Sequence, residues 1–262
     1  MNDKTWKTAI TCIKPNEILV RGYRIDELLG KASFASGVFL LFHSRLPTVA
    51  EEQLYNAMLL ASIDHGVTPP SAQAARLSAS TGAPLNAALA AGILSINKYH
   101  GAAIKPAMRM FLELKKMLDA GGKPVKEFTK EYVAQALAEK RQLFGYGHRI
   151  HTDDPRTKRL FKLAAAAGKD GIYLQLAKLV GEELGAQRGK KLPLNVDGAI
   201  AALLCELEFP VEVSNFFFLL PRIAGMTAHY LEEKTREKPM RNIDPTKAEY
   251  DGPGPRELEE NQ

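Results

Sequence analysis

The stretch "PLNAALAAGILSINKYHG", from Pro84 to Gly101, has apolar residues on nearly every side of a helical projection. This pattern is typical of a buried helix, and the glycine that follows is a common helix stop. Segments with helical spacing lie on both sides of this stretch, and no regular alternation of strands and helices is present. The sequence therefore predicts an all-α fold in which this segment is buried.

Local start signals mark several of the other helices. Thr48 and Glu51 have the spacing of a capping box. Asp154 is a good N-cap and Pro155 suits the first helical position, which places the next residue in the first turn. Asp197 is predicted to begin the helix of "DGAIAALLCELEFP", and its simplest alternative role is that of an N-cap.

Composition sets the size and class of the protein. The chain has 262 residues, of which 45% are hydrophobic, enough for one large or two modest domains. No uncharged apolar run reaches membrane-spanning length. The opening segment "TAITCIKPNEILVRGY" predicts a small β-hairpin around "KPNE". Cys12 and Cys205 are too few for a disulfide framework or a metal knuckle, so we expect a soluble protein of the reducing cytoplasm.

Positive charge is concentrated in one part of the chain. Between Glu139 and Lys191 there are twelve Lys or Arg residues and six Asp or Glu residues. A local basic surplus indicates an anionic partner. The region has few aromatic residues and no zinc-finger or RNP-like motif, which favours a phosphorylated small molecule over nucleic acid.

Four titratable residues lie at the ends of apolar helical segments. His65, His100 and His148 each lie within two residues of a glycine, and Asp197 lies in "LPLNVDGAI". A histidine at a helix end often only binds the last carbonyl groups, so each residue also has a purely structural interpretation. Another alternative is zinc binding by His148 and His151, but no cysteine or third ligand lies near them in the sequence.

Two arginines are candidates for binding carboxylates. Arg222 lies inside the apolar stretch "NFFFLLPRIAGM", where an unpaired guanidinium is costly. It therefore needs a buried anionic partner, either a structural glutamate or a bound carboxylate. Arg156 lies at the predicted start of a helix.

Several motifs appear in the order found in one known family: "RGYRIDELLGKASFASGVFLLFHSRLPT", "DHG" at residues 64–66, "HGAA" at 100–103, "GYGHR…DPR" at 145–156, "NVDG" at 195–198 and "RIAGMTAHYLE". The chain resembles the citrate synthase superfamily over about Thr8 to Tyr250. It is most similar to the compact citryl-CoA lyases and to the citrate-synthase-like module of ATP-citrate lyase.

The resemblance implies roles for particular residues. His100 would stabilise the enolate of acetyl-CoA, His148 would exchange the proton of the citryl hydroxyl, and Asp197 would move the proton on the acetyl methyl group. Groups that hold the substrate carboxylates would be His65, Arg156 and Arg222. Residues near the coenzyme A would be Gly145, Tyr146, Gly147, Arg149, Lys190, Lys191 and Asn195.

The implied activity is cleavage of citryl-CoA to acetyl-CoA and oxaloacetate by a metal-free retro-Claisen mechanism. One base, one donor to the thioester oxygen and one acid are needed, and two imidazoles with a carboxylate supply them. The CoA thioester would be substrate and product, with no permanently bound cofactor and no nucleic-acid or membrane partner. Alternatives are a citrate or 2-methylcitrate synthase and an inactive CoA-binding regulator.

The resemblance also implies an architecture. A large helical domain of residues 1–100 and 209–262 would be closed by a smaller one, 101–208, over CoA. The helices from Ser71 to Tyr99 would form the interface of a homodimer or larger homo-oligomer. The sequence departs from the family at Ile104, where an Asn or Gln is usual. It departs again at "PTKAEY", which lacks an arginine that Lys247 or Arg241 would have to replace.

Overall fold

The computed structural model describes residues 6–147, 154–190, 192–242 and 244–257. The predicted all-α class is confirmed, because eleven α-helices account for most of these residues. Three short strands and two 3₁₀ turns complete the described elements, which are β1 (Thr11–Lys14), β2 (Glu17–Val20), β3 (Tyr23–Arg24), α1 (Ile25–Leu28), α2 (Phe34–His43), α3 (Val49–Ala61), α4 (Pro70–Ser80), α5 (Leu85–Leu94), α6 (Ile104–Gly121), α7 (Val125–Ala138), α8 (Pro155–Ala166), α9 (Ile172–Arg188), α10 (Val196–Glu206), a 3₁₀ turn (Val211–Val213), α11 (Phe216–Arg236) and a second 3₁₀ turn (Pro245–Lys247).

The N-terminal strands form an antiparallel meander in the order β1-β2-β3. The predicted hairpin is confirmed, and β3 extends it by one strand. Arg21 fastens the meander to α2, since its Nε and Nη2 groups donate to the backbone oxygen of Leu41 at 3.1 and 2.7 Å.

Helix α10 lies at the centre of the second half of the chain. Nine of its eleven residues are buried, and it packs against α6, α8 and α9. Its small residues let neighbouring segments approach closely. A Cβ atom on Gly198 would lie 2.5 Å from the backbone oxygen of Gly145, so only glycine fits at this contact.

Helices α4, α5 and α11 pack together as a second group, and α3 contacts both α8 and α11. Buried apolar residues from α3, α6, α10 and α11 belong to one continuous core. The division into 1–100 with 209–262 and 101–208 therefore remains a prediction.

Two predicted helix starts are confirmed. Thr48 and Glu51 form a complete capping box on α3. Asp154 caps α8 by accepting a hydrogen bond from the backbone nitrogen of Arg156 at 3.0 Å, with Pro155 at the first helical position. Helix α11 continues through Pro221 without interruption.

The prediction that α5 is buried on nearly every side is wrong for the single chain. Only Ala88 and Gly92 are buried, while Leu94 is 77% exposed. One side of α5 packs on α4 and α11, and the other side meets solvent. An apolar helix face in the sequence indicates that the face is covered by other residues. It does not indicate whether those residues belong to the same chain or to another copy.

The two cysteines have opposite environments. Cys12 lies exposed on β1, whereas Cys205 is buried in α10, where burial raises the pKa of its thiol to about 12. Among the described residues, no helix is both long and apolar enough to cross a membrane.

Candidate active site

Two arginine side chains meet at the carboxyl end of α3. The Nη1 group of Arg156 donates to the backbone oxygen of Ala61 at 3.3 Å, and Nε of Arg222 donates to the backbone oxygen of Ser62 at 3.2 Å. The last carbonyl groups of a helix lack partners within it and carry the negative end of its dipole. Two successive carbonyl groups therefore bring Arg156 from α8 and Arg222 from α11 into one site.

Arg222 is only 3% exposed. Within the described ranges it forms no ion pair shorter than 4.0 Å, and burial lowers the pKa of its guanidinium. Asp64 and Asp197 attract it only from a longer distance. A buried guanidinium without a close acid is costly, so this arrangement favours a bound carboxylate over a structural glutamate.

Phe218 joins Arg222 to His100. The guanidinium carbon of Arg222 lies 4.5 Å from the centroid of the Phe218 ring, and the His100 ring meets the same ring edge-on at 5.5 Å. Nε2 of His100 is 2.9 Å from Oγ of Ser71, which orients the imidazole. Gly101 has φ +76°, and a Cβ there would lie 2.4 Å from the Phe218 ring. Sequence reasoning missed both Ser71 and Phe218, because neither carries a distinctive local pattern.

Asp197 is partly buried in the first turn of α10. Its Oδ1 atom is inaccessible to solvent and accepts no hydrogen bond from the described residues. Burial raises the pKa of this carboxyl group from 3.8 to about 6; Arg156 and Arg222 oppose the rise, and Asp154 adds to it. Asp197 therefore belongs to the same charged cluster as the two arginines and can hold a proton near neutral pH.

Asn195, and not Asp197, caps α10. Its Oδ1 accepts a hydrogen bond from the backbone nitrogen of Gly198 at 3.0 Å, and its Nδ2 donates to the backbone oxygen of Gly147 at 2.9 Å. The alternative that Asp197 serves only as an N-cap is therefore wrong. Because the side chain of Asn195 caps the helix, the carboxylate of Asp197 is not used as a cap.

The predicted CoA-binding residues 145–147 lie against residues 193–195. The backbone nitrogen of Gly147 donates to the oxygen of Pro193 at 2.7 Å, and that of Asn195 donates to the oxygen of Gly145 at 2.9 Å. The side chain of Tyr146 points away toward α9, where its hydroxyl donates to the oxygen of Ala177 at 2.9 Å. The structure thus brings Gly145, Gly147 and Asn195 together, and their contact with CoA remains a prediction.

A cavity of about 610 Å³ lies beside this paired segment, between α8 and α9. Phe161, Leu192 and Leu194 supply apolar walls, and Lys158 and Lys178 bring positive charge. Nζ of Lys178 lies 5.2 Å from the centroid of the Phe161 ring. Lys190, also predicted to bind CoA, is exposed just after α9.

Several predicted residues lie outside the described part of the chain. These are His148, Arg149 and Lys191, and also His151 of the zinc alternative. Among the residues that are described, no group of three or more His, Cys, Asp or Glu side chains is arranged to hold a metal ion.

His65 is half-buried just beyond α3, close in sequence to the carbonyl groups that bind the arginines. Its neighbour Asp64 lies 3.1 Å from Nε2 of His229 on α11. A groove of about 560 Å³ is lined by Asp64, Gly225, His229 and Glu232. His229 lies in the quoted motif "TAHYLE", but its position there did not indicate an ion pair with Asp64.

The structure shows the surroundings of the residues at the two departures from the family pattern, which are Ile104, Arg241 and Lys247. Ile104 is fully buried at the start of α6 and belongs to the core. Arg241 pairs with Glu233 and Glu237 of its own chain, whereas Lys247 lies exposed in the second 3₁₀ turn. Replacement of the missing arginine by Lys247 or Arg241 therefore remains a prediction.

The chain is similar to several known proteins in sequence and in fold. Residues 50–243 match the family described as citrate synthase, C-terminal domain. Citryl-CoA lyase from Hydrogenobacter thermophilus is 42% identical, with a TM-score of 0.87, over 97% of this chain and 98% of that chain.

Other relatives are more distant in sequence. A mutant ATP citrate lyase from Methanosaeta concilii, solved with (3S)-citryl-CoA, has a TM-score of 0.80 and 23% identity, over 97% of this chain and 43% of that one. Citrate synthase from Saccharolobus solfataricus is 32% identical over 78% of this chain and 54% of its own length. The chain spans about half the length of the curated relatives it matches. The match over residues 50–243 shows that the chain belongs to the citrate synthase family.

Proposed function

We propose that this protein cleaves citryl-CoA to acetyl-CoA and oxaloacetate. The observation that supports this proposal most strongly is the 42% identity of this chain to a citryl-CoA lyase over nearly the full length of both. The interaction of Asp197 with Arg156 and Arg222 in one charged cluster is consistent with it. The citryl-CoA lyase matches this chain over 98% of its own length, whereas the match to the citrate synthase from Saccharolobus solfataricus covers 54% of that protein. The alternative of an inactive CoA-binding regulator would not require an unsatisfied carboxyl group next to two arginines.

The reaction breaks the bond between the carbinol carbon of the citryl group and the methylene carbon next to the thioester. In the assigned roles, His148 takes the hydroxyl proton, and the carbinol carbon becomes the ketone of oxaloacetate. The electron pair of the broken bond passes to the thioester as an enolate, which His100 stabilises at its oxygen. Asp197 then donates its proton to the methylene carbon and yields acetyl-CoA.

The environment of each group suits its role. Ser71 and Phe218 hold the ring of His100, which limits the reorganisation needed when the enolate forms. A carboxyl group with a pKa of about 6 keeps a useful protonated fraction near pH 7, which cleavage requires. Arg156 and Arg222 present planar donor groups that match the carboxylates of the citryl group.

The cavity between α8 and α9 suits the nucleotide end of CoA. Its apolar walls and Phe161 can pack against an adenine ring, while Lys158 and Lys178 supply charge for phosphates. The exposed Lys190, just after α9, would add to this charge. CoA thioester is then the substrate, and no permanently bound cofactor takes part. Residues 101–208 would move as the smaller domain and close over the thioester, which would exclude water and prevent its hydrolysis.

We propose that the protein is cytoplasmic, because Cys12 and Cys205 are both free thiols, as is typical of a reducing compartment. We also propose that it forms a homodimer or a larger homo-oligomer. The exposed apolar side chains of α4 and α5 support a partner copy: Leu77 is 54% exposed, Leu85 40% and Leu94 77%.

The direct test follows the products formed from citryl-CoA. We expect oxaloacetate and acetyl-CoA to appear in equal amounts, with oxaloacetate measured through NADH oxidation by added malate dehydrogenase. In a parallel reaction, acetyl-CoA and oxaloacetate should release little free CoA, measured with a thiol reagent. Rapid release of free CoA with accumulation of citrate would identify a synthase instead, and binding of citryl-CoA without turnover would identify a regulator.

Replacing Asp197 by Asn should lower kcat for cleavage by about 100-fold or more, because the amide cannot donate the proton to carbon. The same variant should be more stable at pH 8, by about 2 kcal/mol. The pKa of Asp197 is raised in the folded state, so its contribution to stability is present below pH 4 and is lost as the pH rises through about 6.

Urea unfolding at pH 8 and pH 4.5 measures this difference, which should shrink at the lower pH. Asp119→Asn is the matched control, since Asp119 is an exposed acid on α6 paired with Lys115. Equal stability of Asp197→Asn and wild type at pH 8 would contradict the burial of this carboxylate.

Replacing Arg222 by Gln should raise KM for citryl-CoA roughly 10- to 100-fold, because a charged hydrogen-bond donor to a substrate carboxylate is lost. Steady-state kinetics measures the change. Arg109→Gln, on the exposed surface of α6, serves as the control and should leave KM unaltered. An unchanged KM in Arg222→Gln would remove this residue from the carboxylate site.

Light scattering in solution should give a mass of at least twice 28.8 kDa. Leu94→Asp should lower that mass, because a charge on the exposed face of α5 would be buried against the partner. Leu112→Asp, on a partly exposed position of α6, should not. A wild-type protein that stays monomeric at micromolar concentration would show that α5 has no partner copy.

A further inference from the structure

Asp154 is a buried carboxylate with more contacts than a helix cap needs. The residue is 1% exposed, and its Oδ1 accepts the hydrogen bond from the backbone nitrogen of Arg156 that caps α8. The same Oδ1 also accepts from Nε of Arg156 at 3.0 Å, and Oδ2 accepts from Nη2 at 2.8 Å. The two carboxylate oxygens therefore accept hydrogen bonds from one edge of a single guanidinium, the edge formed by Nε and Nη2.

Capping alone does not explain an acid at this position. Asn and Ser cap helices about as well as Asp, and neither carries a charge that must be buried. Asp154 also lies near Asp197, whose pKa it helps to raise. A second buried carboxylate beside the first is unfavourable for stability, so its charge is expected to serve another purpose.

The contacts of Arg156 suggest that purpose. Asp154 holds its Nε and Nη2 groups, while Nη1 donates to the backbone oxygen of Ala61 at the end of α3. A guanidinium bound on two sides by different elements has a defined plane and direction. The side chain of Arg156 is 23% exposed, so part of it remains accessible to a ligand.

We propose that Asp154 is a positioning residue: it holds the Arg156 guanidinium in the orientation that binds a substrate carboxylate, and it places a second negative charge beside Asp197. This inference rests on the proposed function, since it concerns the same site. Asp154 does not touch the reacting atoms and acts through its two neighbours.

The charges around Asp197 predict the direction in which its pKa would change if Asp154 were replaced. Arg156 and Asp154 act on it from α8 and Arg222 acts from α11, while Asp64 acts on Arg222. Removal of the Asp154 charge would leave both arginines in place. Their attraction for the ionised carboxylate would then be less opposed, and the pKa of Asp197 would fall.

The test uses Asp154→Asn in the full chain. The amide preserves the cap but cannot bind the guanidinium through two anionic oxygens. We expect the unfolding midpoint to stay close to that of wild type, while KM for citryl-CoA rises roughly 10-fold. The alkaline limb of the kcat profile should move to lower pH, because cleavage needs protonated Asp197.

Asp244→Asn is the matched control. Asp244 caps the second 3₁₀ turn in the same way, with a proline after it and its Oδ1 accepting from the backbone nitrogen of Thr246 at 3.0 Å. It lies on the surface, so its replacement should leave KM and the kcat profile unchanged. If Asp154→Asn does not fold, Asp154→Ser provides a second uncharged cap for the same measurements.

A measurement independent of turnover separates this inference from the proposed function. Carbon NMR of aspartate-labelled protein gives the pKa of Asp197 directly, and we expect it to fall by roughly half a unit or more in Asp154→Asn. A wild-type protein that does not cleave citryl-CoA would refute the proposed function, and the NMR titration would still decide the role of Asp154. An unaltered Asp197 pKa, or an unaltered KM in an active protein, would overturn the inference.

Discussion

Two guanidinium groups in one partly buried site repel each other, and the site is organised around this constraint. Successive carbonyl groups at the end of α3 bind Arg156 and Arg222, so three helices that are distant in sequence meet at one point. The carbonyl groups and Asp154 offset only part of the positive charge. Burial also disfavours the ionised form of Asp197, so the cluster keeps a net positive charge, which is the basis for proposing that it binds a carboxylate.

The position of Asp197, a proposed catalytic residue, depends on a second, purely steric constraint. Segment 145–147 and the start of α10 approach so closely that Gly145 and Gly198 admit no side chain between them. Asn195 closes this contact with hydrogen bonds to both sides. Gly145 and Gly198 therefore have a structural role, since they allow segment 145–147 to pack against the helix that carries Asp197.

Features with a local cause could be predicted from the sequence. The all-α class, the capping box at Thr48 and the cap at Asp154 follow from spacing and residue type, and the structure confirms them. The need of Arg222 for an anion follows from the cost of a buried charge in an apolar stretch. Features that depend on tertiary contacts could not be predicted from the sequence. The partner of His229, the ring that links His100 to Arg222, and the open face of α5 arise from residues far apart in the chain.

The contrasting environments of the two cysteines have a practical consequence. A thiol with a pKa of about 12 in the packed interior of α10 is almost entirely protonated and shielded from reagents. The thiol on β1 is open to solvent. A maleimide fluorophore or spin label added to the natural folded chain will therefore attach at Cys12 alone, and will give a single-site spectroscopic probe on the N-terminal meander without any mutation.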